Sequence, residues 1–377
     1  MLKNLIIVGD CRDTLATLPD GCVNTVVTSP PYYGLRDYGT AEWDGGDSDC
    51  DHRHQLGGEG PASSVQSGNK GSQTINYKTV CRKCGAVRID KQIGLEATLE
   101  EYVDNMVEVF RGVWRVLRKD GTVWLNLGDS YAGSGRGLMG SGKHADNKDS
   151  KQGTNRGSTV GEFPRQRIGN LKPKDLMGVP WRVAFALQQD GWYLRSDIIW
   201  HKPNPMPSSV KDRPTTSHEY MFLLAKSRKY YYNGDAVREP AKDWGKRDRS
   251  KGKYTSDRND SGQANHAGLT DGDFAKRGRN RRTVWTVTTS RYKGAHFATF
   301  PKALIDPCVK AGCPDGGTVM DIFGGAATTA VVANENRCNS ILLELNADYA
   351  DFSEKRIADE VGGLLATTEV IYHDQSN

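Results

Sequence analysis

The stretch Val319-Met320-Asp321-Ile322-Phe323-Gly324-Gly325-Ala326-Ala327-Thr328-Thr329 decides the fold. An apolar run ends on an acid, two glycines make a turn, and small residues open a helix. That order is a strand, a glycine turn and a helix start, one half of a βαβ unit. The next apolar run, Ile341–Leu345, carries Glu344, 23 residues after Asp321. An acid so placed suits the hydroxyls of a ribose, the layout of a Rossmann-type nucleotide site. The turn does not read GxGxxG, which gives little support to a dinucleotide.

Outward from this unit the same alternation recurs. Strands are predicted at Leu5–Val8, Val23–Thr28, Thr122–Leu127, Leu194–Trp200, Tyr220–Lys226 and Thr318–Phe323. Helices are predicted at Asp13–Leu18, from Thr98 to Gly121, and at Leu176–Gln189, Pro301–Ala311, Ala326–Asn336 and Ala347–Glu360. In the helix after Thr98, Tyr102 or Val103, Met106, Phe110, Val113 and Leu117 share one face. Thr98 and Glu101 make a capping box there, and Gly121 ends the helix. Pro180 leaves the start or the straightness of the Leu176–Gln189 helix open. Strands alternating with helices imply an α/β class: a doubly wound, mostly parallel, Rossmann-like sheet with helices on both faces. Residues 40–92, 132–170 and 236–293 are polar interruptions.

The second strand runs into Thr28-Ser29-Pro30-Pro31-Tyr32-Tyr33-Gly34. Ligands bind at the carboxyl ends of parallel strands. Two prolines remove two amide donors and leave nearby carbonyls as acceptors. Ser29 adds a hydroxyl and Tyr32 an aromatic face. Acceptors beside a stacking ring suit a flat substrate bearing an NH₂ group; taken alone, the same residues are only a proline-stiffened turn.

The chain has 377 residues, room for one large domain or two ordinary ones. Mean hydropathy is −0.63, and no apolar run approaches the ~18 residues of a membrane helix. The N-terminal MLKNLIIVGD reads as a strand and not as a signal peptide. A cytoplasmic, reducing location follows, in which the eight cysteines are not expected to form disulfides. The net charge of +5 excludes a strongly acidic binder. Between Lys242 and Lys293, 14 Lys/Arg face 6 Asp/Glu, or +8, which leaves the rest of the chain at −3. Trp244, Tyr254, Trp285 and Tyr292 interleave with that charge. A basic run alone is a solvated loop; with aromatics between, it points to phosphate contact and nucleic acid.

Cys50-x-His52 and Cys81-x-x-Cys84-Gly85 bracket a glycine- and serine-rich span. Two pairs of such ligands suit a tetrahedral, structural zinc, which would keep so polar an insertion folded. His54 competes with His52 as the fourth ligand.

Taken together, these motifs resemble the amino-methyltransferases of DNA, which methylate the exocyclic amine of cytosine or adenine with S-adenosylmethionine. TSPPY is similar to their catalytic motif, and DIFGGAATT to a cofactor motif usually closer to DPFxGSGTT. The departures are Ile322, Ala326 and Ala327. The catalytic motif comes first, as in the family's beta arrangement. Gly191–Ser227 and Ala295–Pro301 resemble the family as well. The resemblance implies a catalytic set of Ser29, Pro30, Pro31 and Tyr32. It implies cofactor contacts from Asp321, Phe323, Gly324, Gly325 and Glu344, with Glu344 on the ribose. Phe297, Phe300 and Pro301 would line the cofactor, Thr328 would cap the helix near the methionine carboxylate, and Asp10 would lie near the adenine. The implied substrate is a base flipped out of double-stranded DNA. Cytosine N4 is favoured over adenine N6, since SPPY goes more often with cytosine in that family. A restriction-modification setting follows, in which a cognate restriction endonuclease is a conceivable partner.

On this reading residues 1–39 and 93–235 form the catalytic half, 40–92 the zinc-binding insertion and 132–170 a glycine-rich loop. Residues 236–293 form the target-recognition region and 294–377 the cofactor half. Lys246, Arg247 and Arg249 are expected on phosphates, and Arg277, Arg279, Arg281 and Arg282 are the candidates for reading guanine edges. Methylation at ring carbon 5 would need a cysteine nucleophile, but Pro307-Cys308 falls in a predicted helix and reads as a buried core cysteine. The rival of another class is a non-catalytic, zinc-containing DNA-binding protein that keeps the fold.

Overall fold

Apolar residues that alternate along the central strands dictate a sheet covered on both faces. A computed structural model describes residues 1–34, 38, 40–56, 73–76, 80–132, 171–240, 278–289, 299–362 and 365–373. In chain order the elements begin with β1 (Leu2–Val8), α1 (Cys11–Thr17), β2 (Val23–Thr28), β3 (Glu42–Asp44), β4 (Arg53–Leu56), β5 (Gln73–Asn76) and β6 (Val87–Ile89). Next come α2 (Leu99–Val116), β7 (Leu117–Leu127), α3 (Val179–Gln189), β8 (Tyr193–His201), β9 (His218–Ala225) and β10 (Val284–Thr286). The last are α4 (Lys302–Gly312), β11 (Thr318–Asp321), α5 (Thr328–Glu335), β12 (Asn339–Glu344), α6 (Ala347–Val361) and β13 (Ala366–Tyr372).

Nine strands form one sheet in the order β10-β8-β9-β7-β2-β11-β12-β1-β13. Only β9 runs against its neighbours, β7 and β8; every other pairing in this sheet is parallel. The expected doubly wound, mostly parallel sheet is therefore present. Its two faces are read from alternate residues. Val26, Val123, Leu125 and Met320 pack on α2 and α3 through Met106, Phe110, Val113 and Val183. Their neighbours Val27, Trp124 and Val319 face the other way, onto Leu304, Cys308 and Val332 of α4 and α5. Within the insertion, β3 pairs with β6 and β4 with β5, both antiparallel.

The capping box of α2 is made: Glu101 N donates to Thr98 Oγ1 at 3.1 Å and Thr98 N to Glu101 Oε2 at 3.2 Å. Several boundaries need correction. Helix α2 stops at Val116, not at Gly121. Gly121 lies in β7 beside the register shift against β2, where a Cβ would stand 2.6 Å from Leu117 Cδ1. Helix α3 starts at Val179, so Pro180 sits in its first turn, where its missing N–H costs nothing. Strand β11 ends at Asp321 and α5 begins at Thr328, which makes the turn between them longer than expected. Strands β10 and β13 add to both edges of the expected sheet. Among the described residues no helix is long and apolar enough to cross a membrane.

Candidate active site

Strands β2 and β11 are neighbours, with Val319 opposite Thr25 and Met320 opposite Val26. Their carboxyl ends are stitched by Asp321. Its Oδ1 accepts from Thr28 Oγ1 at 2.6 Å and Phe323 N at 3.1 Å, and its Oδ2 from Thr329 Oγ1 at 2.7 Å. Burial pushes this carboxyl up to about 7 against the pull of those donors. Asp321, expected among the cofactor contacts, is instead spent inside the fold: it holds the turn that carries Phe323.

That turn is shaped by backbone. Gly324 N donates to Leu343 O at 2.7 Å, and Gly325 takes a left-handed φ of 51°. Glu344 completes it, since its Oε2 accepts from Gly325 N at 2.7 Å and its Oε1 from Asn346 N at 2.9 Å. Burial raises the Glu344 carboxyl above the usual range. Thr328 does not cap α5. The residue before the helix is Ala327, left-handed at φ 57° with no side-chain bond, and Thr328 Oγ1 accepts from Arg356 Nη1 at 3.0 Å. Asp10 instead caps α1 through Arg12 N. Burial works to raise the Asp10 carboxyl, but hydrogen bonds and charge from Arg12 outweigh it and hold it below the usual value.

The Ser-Pro-Pro-Tyr segment leaves β2 under close constraint. Tyr102 Oη donates to Pro31 O at 3.1 Å, so that carbonyl is not a free acceptor. Among the described residues no donor reaches the Pro30 carbonyl. Tyr32 Oη donates to Glu219 Oε2 at 2.8 Å and lies 3.5 Å from Ser29 Oγ. The Tyr32 ring rests on Gly128, where a Cβ would come within 2.6 Å of Cε2. Burial, then the Glu219 charge, push the Tyr32 hydroxyl well above its ordinary value. Glu219 is paired with Lys202, both largely buried, and accepts from Asn126 Nδ2 at 3.3 Å. Glu219, Lys202 and Asn126 escaped sequence reasoning. The signal was an isolated acid opening the apolar strand HEYMFLLA and a lysine closing DIIWHK.

One cavity of about 120 Å³, open to solvent, joins the two motifs. Gly9, Asp10 and Cys11 line it from the end of β1, Ser29 and Pro31 from β2, and Ile322, Phe323 and Gly325 from β11. Glu344 and Leu345 line it from the end of β12, Tyr349 from the first turn of α6, and Thr299 from the segment before α4. Phe300 is buried in the core instead, and Pro301 precedes α4 as its cap residue. A further wall comes from the two ends of the insertion and the residues flanking it: Tyr38, Thr40, Lys91, Gln92 and Ile93. An enclosed acid and backbone turn beside apolar Ile322, Phe323 and Leu345 fit a nucleoside with a short polar tail.

Away from this cavity, Cys50, His52, Cys81 and Cys84 converge, with all four ligand atoms within 4.8 Å of one another. His52 supplies the histidine of this group. Of the arginines expected on DNA bases, Arg279 and Arg282 pair with Glu239, and Arg281 stacks on Trp285 at 4.5 Å. Their side chains clamp the base of the basic stretch. Phe297, Lys246, Arg247, Arg249 and Arg277 lie outside the described residues. Cys308 is fully buried in α4, as expected.

Comparison with known proteins gives a family model described as DNA methylase, matched over residues 23–355. The Type II methyltransferase M.SmaI of Serratia marcescens is 41% identical over 352 residues, 93% of this chain and 90% of that protein. The Type II methyltransferase M.Cfr9I of Citrobacter freundii is 39% identical over 352 residues, 93% and 87% of the two chains. Among solved structures, PvuII DNA methyltransferase (cytosine-N4-specific) superposes with a TM-score of 0.52 at 15% identity, covering 98% of this chain and 95% of that one, a likeness of fold.

Proposed function

The chain belongs to the DNA methylase family, and from that membership we propose that it methylates N4 of a cytosine flipped out of double-stranded DNA, with S-adenosylmethionine as donor. The observation that carries the reading is the shared cavity: Ser29 and Pro31 line it together with Phe323, Gly325 and Glu344. A methyl donor held by the second group is thereby next to an amine held by the first, and proximity supplies much of the rate.

The amine of cytosine is a poor nucleophile because its lone pair is delocalised into the ring. Acceptors on its two hydrogens favour a pyramidal nitrogen and free that pair. Ser29 Oγ and the Pro30 carbonyl are the acceptors, and Tyr32, its hydroxyl tied to Glu219, offers a fixed ring for stacking. Bound S-adenosylmethionine supplies an electrophilic methyl on sulfonium. Phe323 and Gly325 shape its site, Glu344 faces its ribose and Asp10 lies near its base. The amine loses its proton after it is methylated, so no strong base is needed beforehand. Cys50, His52, Cys81 and Cys84 hold a structural zinc: four ligands leave no open position for catalysis. Lys246, Arg247 and Arg249 contact phosphates. Relatives named Type II methyltransferases support a restriction-modification setting with a cognate endonuclease.

The test is to methylate DNA with the purified protein, digest it to nucleosides and identify the modified base by mass. N4-methylcytosine is the expected product. N6-methyladenine would transfer the same chemistry to adenine, and no modified base at all would favour a DNA-binding protein without catalysis.

A further inference from the structure

The insertion between β2 and α2 forms a wall of the cavity, yet its described parts bury few apolar side chains of their own. Of residues 40–52 and 80–91, only Cys81 and Ala86 are fully buried. Such a segment cannot offset its ordering entropy by burial. Even so, Tyr38 and Thr40 at its entry and Lys91, Gln92 and Ile93 at its exit line the cavity. Entry and exit are joined by Tyr38 N donating to Gln92 Oε1 at 2.7 Å, and by the β3–β6 pairs Glu42↔Ile89, Trp43↔Arg88 and Asp44↔Val87.

The Cys/His cluster sits directly on the far end of that two-stranded ribbon. Trp43, in the middle of β3, stacks on the His52 ring at 4.4 Å and 16°. Val87, the first residue of β6, bridges to Val80, and Cys81 N donates to Ala86 O at 2.8 Å. Gly46, just past β3, passes so near Cys84 that a Cβ there would stand 2.8 Å from its Sγ. Ligands, ribbon and cavity wall are therefore one continuous structure.

We infer that zinc on Cys50, His52, Cys81 and Cys84 sets the affinity of the cavity for S-adenosylmethionine by holding its Tyr38–Ile93 wall in place. The metal touches no part of the methyl donor; it supplies the folding energy that the insertion lacks. This rests on the donor and zinc assignments proposed above. If the wall is formed in only a fraction of metal-free molecules, the apparent dissociation constant rises by the inverse of that fraction.

The experiment uses the full chain. Zinc content is measured, the zinc is removed with a chelator, and S-adenosylmethionine is titrated by calorimetry before removal, after it, and after zinc is restored. About one zinc per chain is expected. Its removal should weaken binding roughly tenfold or more, if the wall is formed less than about a tenth of the time, and restored zinc should recover it. Cys84→Ser should behave like the stripped protein. Lys91→Ala, which keeps all four ligands, should weaken binding at full zinc content, so a folding failure in the cysteine variant cannot imitate the result. Stoichiometric zinc whose removal leaves donor affinity unchanged overturns the coupling and leaves the methyltransferase reading intact. A protein that never takes up zinc overturns the metal site and the coupling together. A zinc-loaded protein that binds no S-adenosylmethionine sinks the donor assignment on which the coupling rests.

Discussion

Replacing Asp321 by asparagine separates the structural part of the cofactor turn from its ligand-binding part. The carboxylate accepts from Thr28, Thr329 and Phe323 N and is 2% exposed. Burial raises it from 3.8 to about 7. The sign follows from proton counting. Between about pH 4 and 7 the unfolded chain has released this proton while the folded one retains it, so stability falls as pH rises through that window. The span corresponds to on the order of 4 kcal/mol, an upper figure. An asparagine reproduces the protonated acid without the titration. Its Oδ1 keeps Thr28 and Phe323 N, and its amide donates to Thr329 Oγ1, whose own proton turns to Val27 O, already 3.4 Å away. Urea unfolding of both proteins from about pH 4.5 to 8.5 reads the effect. The variant should be close to wild type at the acid end and gain steadily toward pH 7. Groups remote from Asp321 titrate alike in both and cancel in the difference; Glu344, whose charge helps raise Asp321, does not cancel fully. Donor affinity should be retained, because Asp321 does not line the cavity. A stability difference that does not change with pH would refute the reasoning.

The other expectations can be checked separately. Tyr32→Phe removes a hydrogen bond to a carboxylate, worth about 1.5–3 kcal/mol, and Tyr32→Ala removes stacking worth about 1–3 kcal/mol. Both should slow single-turnover methylation while donor binding persists; equal loss of donor binding would count against Tyr32 as a catalytic-side group. Glu344→Ala should weaken S-adenosylmethionine by roughly 1.5–3 kcal/mol in a titration, and unchanged affinity would mean the crevice is misplaced. Glu219→Gln removes the carboxylate facing the largely buried Lys202, which keeps its place over the Trp200 ring, and should destabilise the fold by up to about 3–5 kcal/mol, visible as a lower melting temperature. Neutralising Lys246, Arg247 and Arg249 should weaken binding to any duplex and flatten its salt dependence by roughly one unit per lost contact; a slope that does not move would leave these residues in a solvated loop.

The alternating fold was legible because its elements bury continuous apolar faces, as Met106, Phe110 and Val113 of α2 do. Elements at the sheet's margins were not. Strand β13, ATTEVIY, is a half-exposed edge that opens on the polar run Thr367-Thr368-Glu369 and shows no clean alternation, and β10 is three residues in a basic run, too short for a period to appear. Motif residues were legible by type but not by role. Asp321 stands out as an acid at a strand end, yet its partner Thr28 is 293 residues away in the chain, and only the sheet order shows that the two meet. Glu219 and Lys202 are similar: each is an unremarkable charge until the hairpin of β8 and β9 sets them side by side. A Cys-x-His pair and a Cys-x-x-Cys pair revealed the cluster in the sequence, but 31 residues separate Cys50 from Cys81, and only the fold brings the two pairs together.

Sheet order also explains how a chain with its catalytic motif near the start and its cofactor motif near the end builds a single site. Strands β2, β11, β12 and β1 lie side by side and run parallel. Their carboxyl ends therefore share one rim, and the turn after each of them lines the cavity. Adjacency in the sheet, and not order along the chain, brings Ser29 to Phe323 and Glu344. Strand β7 is parallel to β2, and β8, antiparallel to the antiparallel β9, points the same way. The segments that follow β2, β7 and β8 thus leave from that same rim, and two of them open the polar stretches 40–92 and 132–170.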